Sequence, residues 1–146
     1  FMSGVIRLSQ EGDLEQLCGL LSQLSPQEGE AKRDIVEEEF AKLRTDLNYY
    51  LSVYEEDGKI TGTAMLLIQP NLSHQGRPVG HIENVVTDAA VRGKGIGREL
   101  IRYLVDFACG KGCYKVILNC TEDNAKFYEK CGFRRTGEIE MRYDSE

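Results

Sequence analysis

Histidine is scarce in this sequence of 146 residues, which contains only His74 and His81 and no tryptophan. Two histidines leave little material for a zinc site or for a Ser-His-Asp triad. The five cysteines are an odd number and form no CxxC pair, so they predict reduced, mostly buried thiols rather than a disulfide framework. Cys120 as a covalent nucleophile is a minor alternative, because it would need a base to form the thiolate and no histidine stands beside it in sequence.

Long apolar runs and an excess of positive charge are also missing. No run approaches the roughly 20 residues that a membrane helix needs, and the N-terminus lacks a signal-peptide pattern. Eighteen Lys and Arg stand against 24 Asp and Glu, a net charge of -6, which argues against a nucleic-acid surface built from bulk charge. We therefore expect a soluble cytoplasmic or organellar protein that binds neither membrane nor nucleic acid. An anionic ligand would have to be held by local positive groups.

The length fits a single domain spanning residues 1–146, and no internal repeat or linker interrupts it. We take Met2 as the natural start and Phe1 as an addition in front of it. Apolar residues at helical spacing predict two packed helices in the first third of the chain, over 13–24 and 34–47.

After residue 48 the pattern changes to strands, some of them alternating with helices. Asp57-Gly58 lies between two runs of period two, which predicts a hairpin with strands over 49–54 and 60–68. The later predicted elements are a strand over 80–87, a helix over 97–108, a buried strand over 114–120, a helix over 124–131 ended by Gly132, and a last strand over 139–143. This order predicts an α/β or α+β domain rather than a doubly wound one.

The densest chemical signal is Arg-Gly-Lys-Gly-Ile-Gly at residues 92–97, between a predicted strand and a predicted helix. Glycines let backbone N–H groups approach an anion at a helix N-terminus, so that a pyrophosphate can be held without metal. Arg92, Lys94 and Arg98 place three cations within seven residues of an acidic chain. The GxGxG spacing differs from the GxGxxG of a dinucleotide-binding turn, and the Gly-Lys-Ser/Thr of a P-loop is missing.

This loop, after a strand that ends Val85-Val86-Thr87, resembles the acetyl-CoA loop of the GNAT acetyltransferase superfamily. Three longer segments are similar to the eukaryotic glucosamine-6-phosphate N-acetyltransferases: GHIENVV at 80–86, GCYKVILNC at 112–120 and NAKFYEKCGF at 124–133. The resemblance implies the GNAT fold, a central mixed, mostly antiparallel sheet flanked by helices, with strands splayed at the acetyl-CoA site. It also implies acetyl transfer to the amine of glucosamine 6-phosphate by direct attack in a ternary complex, in the UDP-N-acetylglucosamine pathway.

The resemblance further implies where acetyl-CoA, the co-substrate, is bound. The strand before the glycine loop pairs with the pantetheine and holds the thioester carbonyl, and the loop takes the pyrophosphate. No metal is expected. The implied cofactor-binding residues are Val85, Val86, Thr87, Arg92, Gly93, Lys94, Gly95, Ile96, Gly97, Arg98, Asn119, Asn124 and Tyr128.

The implied sugar-phosphate site draws on several parts of the chain. The family is a homodimer in which the Tyr114-Lys115 pair reaches the partner's active site, so shared active sites are expected. The implied substrate-binding residues are Ser25, Asn71, His74, Glu83, Asn84, Val85, Tyr114, Lys115 and Arg142.

Attack on a thioester needs a neutral amine, a stabilised oxyanion and a proton for the leaving thiolate. Glu83 is the candidate proton acceptor, the Val86 N–H the candidate oxyanion donor, and Tyr128 the candidate proton donor. A solvated strand carboxylate and a packing tyrosine are the alternatives for Glu83 and Tyr128. Asn84 and Asn119 carry amides where the family usually has aspartate, so the proton transfer is concentrated on Glu83.

Two other classes of function stay open. A GNAT domain can acetylate another small amine or a peptide, or bind acyl-CoA as a regulatory module without turnover. The presence of Glu83 and Tyr128 favours an enzyme, and His74, Lys115 and Arg142 favour a phosphorylated substrate over a peptide.

Overall fold

The structure is a computed structural model that describes residues 3–25 and 33–145. In this part of the chain a five-stranded sheet has the order β1-β2-β3-β4-β5. The strands are β1 (Val5–Leu8), β2 (Tyr49–Glu56), β3 (Lys59–Gln69), β4 (Val79–Thr87) and β5 (Lys115–Ile117). The helices are α1 (Leu14–Leu24), α2 (Arg33–Arg44), α3 (Ile96–Gly110) and α4 (Glu122–Lys130). Neighbouring strands are antiparallel except for β4 and β5, which confirms the predicted mixed sheet.

Two clusters of buried side chains cover the two faces of the sheet. Helix α3 covers one face with Leu100 and Leu104, which are fully buried, and α1 covers the other with Leu17 and Leu20. Burying each leucine contributes about 2 kcal/mol of transfer free energy. Phe40 of α2 packs into the α1 cluster, so α1 and α2 lie on the opposite side of the sheet from α3.

A glycine on β3 sets the height of α3 above the sheet. A Cβ at Gly62 would lie 2.8 Å from Ile96 Cγ2 and 2.9 Å from Leu100 Cδ1, which is closer than carbon atoms pack. Gly62 also pairs with Thr87, the last residue of β4. The first turn of α3 is thereby held directly beside the end of β4.

In the first half of the chain the structure confirms the predicted hairpin, adds the strand β1 and corrects the predicted packing of α2. Asp57 and Gly58 have positive φ values of 53° and 77°, as the two central residues of a type I′ hairpin turn require, so the predicted hairpin is confirmed. Strand β1 has no counterpart among the predictions, because four residues give too short a periodic signal. Helix α2 has no buried residue, so its predicted packing stripe is wrong for Val36 and for Leu47, which lies beyond the helix end.

The predicted last strand over 139–143 is wrong. Ile139, Met141 and Tyr143 belong to no strand and are 79%, 83% and 95% exposed. The apolar-charged alternation of a strand is present, but a strand needs a neighbour to pair with, and no described strand lies beside this segment. β5 is also shorter and more exposed than the buried strand predicted over 114–120, since it lies at the edge of the sheet. Among the described helices, none has the length and apolarity that a membrane crossing requires.

Candidate active site

A bulge in β4 controls which side chains of that strand face which helix. Val86 pairs with Thr63 and Glu83 with Met65, so Asn84 and Val85 both lie opposite a single residue of β3. Asn84 has a left-handed φ of 52°, a conformation that asparagine tolerates better than most residues.

The bulge changes the alternation of the strand. In a regular strand, residues four apart point to the same face, but Ile82 belongs to the α3 cluster and Val86 to the α1 cluster. Met65, the neighbour of Glu83 across the strands, also packs into the α1 cluster. Glu83 and Val86 are therefore on the same face of the sheet, the one covered by α1.

The strands β4 and β5 are paired over only three residues. The pairs run from Val79 with Lys115 to His81 with Ile117, and the residues after Ile117 leave the sheet. Over residues 82–87, β4 is therefore paired with β3 on one edge, and its other edge, on the β5 side, has no neighbouring strand in the described part of the chain. An extended ligand that lies in this gap can hydrogen-bond to the open backbone as a further strand would.

The glycine loop has the backbone that the sequence predicts for an anion site. Gly93 and Gly95 have left-handed φ values of 85° and 86°, which glycine adopts without steric cost. Gly95 is the N-cap of α3, so the free N–H groups and the positive end of the helix dipole face the loop. A Cβ at Gly97 would lie 3.3 Å from the Phe127 ring, which keeps α3 and α4 close together here.

The three predicted cations of the loop differ in their surroundings. Lys94 and Arg98 line a cavity of about 690 Å³ that opens between α3 and α4. Arg92 instead donates from Nε to the carbonyl oxygen of Thr87 at 3.1 Å, so it ties the loop to the end of β4. Lys94 and Arg98 are therefore better placed than Arg92 to meet an anion in the cavity.

The end of α4 holds Tyr128 in place. Gly132 has a φ of 96°, and the N–H groups of Gly132 and Phe133 donate to the carbonyl oxygens of Glu129 and Tyr128. These two bonds form a Schellman motif, which confirms Gly132 as the residue that ends the helix. The motif also packs the Phe133 ring edge-on against the Tyr128 ring, with centroids 6.1 Å apart.

The Tyr128 phenol stays protonated at neutral pH. Burial raises its pKa above the ordinary value, and the neighbouring Cys120 and Cys131 sulfurs act in the same direction. A protonated phenol can donate a hydrogen bond or a proton to a thiolate. Asn124, one turn earlier on α4, and Asn119, two residues beyond β5, are both exposed.

Four of the predicted substrate residues lie together at the start of β5. The His74 ring stacks on Tyr114 with centroids 4.0 Å apart and an interplanar angle of 17°, and Lys115 Nζ lies 5.5 Å from the centre of the same ring. The Ser73 hydroxyl hydrogen-bonds to Asn71 and His74. The loop after β3 is thereby fastened to the Tyr114-Lys115 pair.

The remaining two predicted substrate residues lie elsewhere. Ser25 ends α1, and this end of the helix is held near the end of β4 because the Ala89 N–H donates to Gln23 Oε1 at 3.1 Å. Arg142 is in the exposed C-terminal segment and pairs with Asp144 at 2.6 Å. Arg142 is therefore not joined to the other substrate residues within the described chain.

The far end of the cavity between α3 and α4 was not predicted from the sequence. The lining residues outside the predicted set are Glu99, Arg102, Val105, Asp106, Lys130 and Cys131. The four-residue step from Arg98 to Arg102 is the one signal that could have suggested a cationic face on α3. Within residues 3–25 and 33–145, no three His, Cys, Asp or Glu side chains converge as a metal site would need.

Comparison with known proteins identifies the family. A family model described as "Acetyltransferase (GNAT) family" matches residues 14–133. The chain belongs to this family. The Glucosamine 6-phosphate N-acetyltransferase of Trypanosoma brucei brucei is 39% identical over 142 residues, 95% of this chain and 94% of the relative. Glucosamine 6-phosphate N-acetyltransferase 1 of Oryza sativa subsp. japonica is 44% identical over 121 residues, 79% of this chain and 71% of the relative.

A solved structure agrees with the GNAT assignment over the whole chain. The crystal structure of glucosamine-6-phosphate N-acetyltransferase from Arabidopsis thaliana superposes with a TM-score of 0.89 at 32% identity, and the match covers 99% of this chain and 100% of that chain. The predicted GNAT fold, with its splayed strands β4 and β5, is thereby confirmed.

Proposed function

We propose that this GNAT protein transfers the acetyl group of acetyl-CoA to the amine of D-glucosamine 6-phosphate. The products are N-acetylglucosamine 6-phosphate and CoA, and the reaction serves UDP-N-acetylglucosamine synthesis. The observation that carries the proposal is the 39% identity, over 95% of this chain, to the Glucosamine 6-phosphate N-acetyltransferase of Trypanosoma brucei brucei. All five cysteines are free thiols, as is usual in the reducing cytoplasm, where we place the reaction.

The geometry supports acetyl-CoA as the acyl donor. The gap beside residues 82–87 offers backbone groups to the pantetheine arm, and the N-terminus of α3 faces the glycine loop with Lys94 and Arg98 beside it. Backbone N–H groups, a helix dipole and two cations match the negative charge of a pyrophosphate. The thioester then lies near the bulge at Asn84.

The reacting groups follow from this placement. Glu83 takes a proton from the substrate ammonium, directly or through water, and the neutral amine attacks the thioester carbonyl. The Val86 N–H donates to the oxyanion. The C–S bond then breaks, Tyr128 donates its phenolic proton to the leaving CoA thiolate, and the excess proton on the acylated nitrogen returns to the tyrosinate, which leaves a neutral amide and a neutral phenol. Its raised pKa supports this role because the proton is present at neutral pH.

Direct attack is favoured over a covalent enzyme intermediate. Cys120 is exposed and follows the end of β5, and a thiol nucleophile needs a base to form its thiolate. No histidine stands beside Cys120 in the sequence, and His74 and His81 are on the β3–β4 loop and on β4. The reaction therefore proceeds in a ternary complex.

The placement of Lys115 supports a homodimer with shared sites. Lys115 pairs with Val79, four residues or about 13 Å before Glu83 along β4, which is beyond the reach of a lysine side chain. The outer edge of β5 has no neighbouring strand among the described residues. In the exposed tail the apolar residues Ile139 and Met141 alternate with charged residues. This pattern fits a strand that pairs with a strand of a second chain.

The acceptor is tested by measuring CoA release with glucosamine 6-phosphate, glucosamine and a lysine peptide in parallel. The proposal expects the highest kcat/KM with the phosphorylated sugar, because the phosphate adds charge-assisted contacts. A higher kcat/KM with the peptide would assign the chain to peptide acetylation. CoA binding without turnover of any acceptor would indicate a regulatory module.

The shared sites are tested by mixing two inactive variants, Glu83→Gln and Lys115→Ala, after subunit exchange. A mixed dimer has one site with both changes and one site with neither. Activity should therefore return when the substrate concentration lies below the wild-type KM. Mixtures with proven exchange that stay as inactive as their parents would place Lys115 in its own chain's site.

A further inference from the structure

We infer that Arg102 and Lys130 bind the 3′-phosphate of CoA and make this protein select 3′-phosphorylated acyl-CoA over its 3′-dephospho form. The inference rests on the proposed use of acetyl-CoA but is independent of which amine is acetylated. It assigns a role to the end of the cavity that lies beyond the glycine loop.

The cavity is longer than the pyrophosphate site. It starts at Lys94 and Gly95 and continues along α3 past Arg102 to Asp106, with Lys130 on α4 as the facing cation. Arg102 is seven residues, or about 10 Å of helix rise, beyond Gly95. The CoA nucleotide carries a pyrophosphate on its 5′ oxygen and a separate phosphate on its 3′ oxygen, so it presents negative charge at two places.

The positive charge at Arg102 has no explanation in the helix itself. The N-terminal helix dipole favours anions only within the first turn, and Arg102 lies in the second. Asp106 follows Arg102 by four residues, the spacing at which helix ion pairs form. Nevertheless, neither Arg102 nor Lys130 forms an ion pair within the described residues.

Arg102 and Lys130 come from two different helices and line the same cavity. The helices are close at this level, because Cys131, the residue directly after α4, lines the same cavity as Arg98 of α3. Two cations that face one cavity from two elements favour a doubly charged group between them. Lys94, Arg98 and the glycine loop already serve the pyrophosphate, which leaves the 3′-phosphate as the partner of Arg102 and Lys130.

The test compares the Kd of CoA with the Kd of 3′-dephospho-CoA by calorimetry, since neither ligand can be turned over. The wild-type protein should bind CoA at least about tenfold more tightly, because one charge-assisted hydrogen bond is worth that factor. Arg102→Gln and Lys130→Gln should each weaken CoA binding and leave 3′-dephospho-CoA binding unchanged. The double variant should bind the two ligands equally.

The control is Lys42→Gln, which removes an exposed cation from α2, on the opposite side of the sheet. It should keep the wild-type ratio of the two Kd values. A wild-type protein without preference, or a double variant that keeps the preference, would overturn the inference. Equal weakening of both ligands would also overturn it, because the two cations would then act only through the general electrostatic field.

The binding test of the 3′-phosphate site can fail or succeed independently of the proposed acetylation of glucosamine 6-phosphate. A protein that shows the expected Kd ratios but does not acetylate glucosamine 6-phosphate would refute the acceptor and leave the 3′-phosphate site standing. Acetylation of the sugar together with equal affinities for CoA and 3′-dephospho-CoA would refute the 3′-phosphate site and leave the acceptor standing. A protein that binds neither nucleotide would overturn both. Since all three substituted side chains are exposed, thermal unfolding should show the same fold in every variant.

Discussion

Replacing Asn84 separates a backbone role from a substrate-binding role at the bulge of β4. The residue is exposed and has a φ of 52°. Its side chain therefore buries little surface, and its free-energy cost lies in the left-handed backbone conformation. Asn84→Gly removes the side chain and keeps the left-handed conformation accessible. Asn84→Val introduces a β-branched residue for which that conformation is an outlier.

The magnitude follows from the cost of the left-handed region. Valine at this φ should lower the free energy of unfolding by about 1–3 kcal/mol, unless the strand relaxes by losing the bulge. Loss of the bulge would turn Val86 to the α3 face and remove its N–H from the thioester. Asn84→Val should therefore lose both stability and kcat, whereas Asn84→Gly should stay within about 1 kcal/mol of the wild type and keep its kcat.

Urea unfolding and steady-state kinetics with both substrates measure these effects. If the Asn84 amide binds the sugar, Asn84→Gly will raise the KM for glucosamine 6-phosphate as much as Asn84→Val does. A valine variant with wild-type stability and wild-type kcat would refute the conformational reasoning.

Three further predictions address the loop, the proton transfers and the pH dependence. Gly95→Asp should abolish thermal stabilisation by acetyl-CoA, because it puts a negative charge where the pyrophosphate binds; full stabilisation would make the loop assignment wrong. Glu83→Gln should lower kcat by about 10²-fold with little change in acetyl-CoA binding, and Tyr128→Phe should slow turnover less, since water can replace the phenol in part; unchanged rates would move both roles elsewhere. Burial opposes ionisation of Asp13, but the Arg7 hydrogen bonds and charge hold its pKa below the ordinary value. The stability that this ion pair contributes should therefore be present at neutral pH and be lost as the pH falls below about 4, the ordinary pKa of aspartate, and through the lower pKa of folded Asp13. Arg7→Gln should cost about 3 kcal/mol at neutral pH and progressively less as falling pH protonates Asp13, as urea unfolding at several pH values would show.

Features that depend on neighbouring residues in the chain were predictable from the sequence. The hairpin at Asp57-Gly58, the backbone of the glycine loop before α3 and the helix end at Gly132 each follow from turn chemistry within a few residues. The resemblance added the acetyl-CoA and sugar-phosphate sites, and the chemical needs of attack on a thioester selected Glu83 and Tyr128 as candidate proton-transfer residues.

Features that depend on distant partners were not predictable. The alternation at 139–143 is the same in a paired strand and in the exposed tail, because pairing is decided by a second strand. The bulge at Asn84 exists only in the register of β4 against β3. Arg102 and Lys130 are 28 positions apart in the sequence, and the cavity between two helices is what brings them to one site.

The central claim is tested most directly by the identity of the product formed from acetyl-CoA labelled with ¹³C in the acetyl carbonyl and unlabelled glucosamine 6-phosphate. The account predicts that the carbon NMR signal of the thioester is replaced by acetamide carbonyl signals of the two sugar anomers, each with a three-bond coupling to the proton on C2, at a rate that scales with enzyme concentration. A thioester signal that persists at high enzyme concentration, or a label found on a sugar oxygen or on the protein, would contradict it.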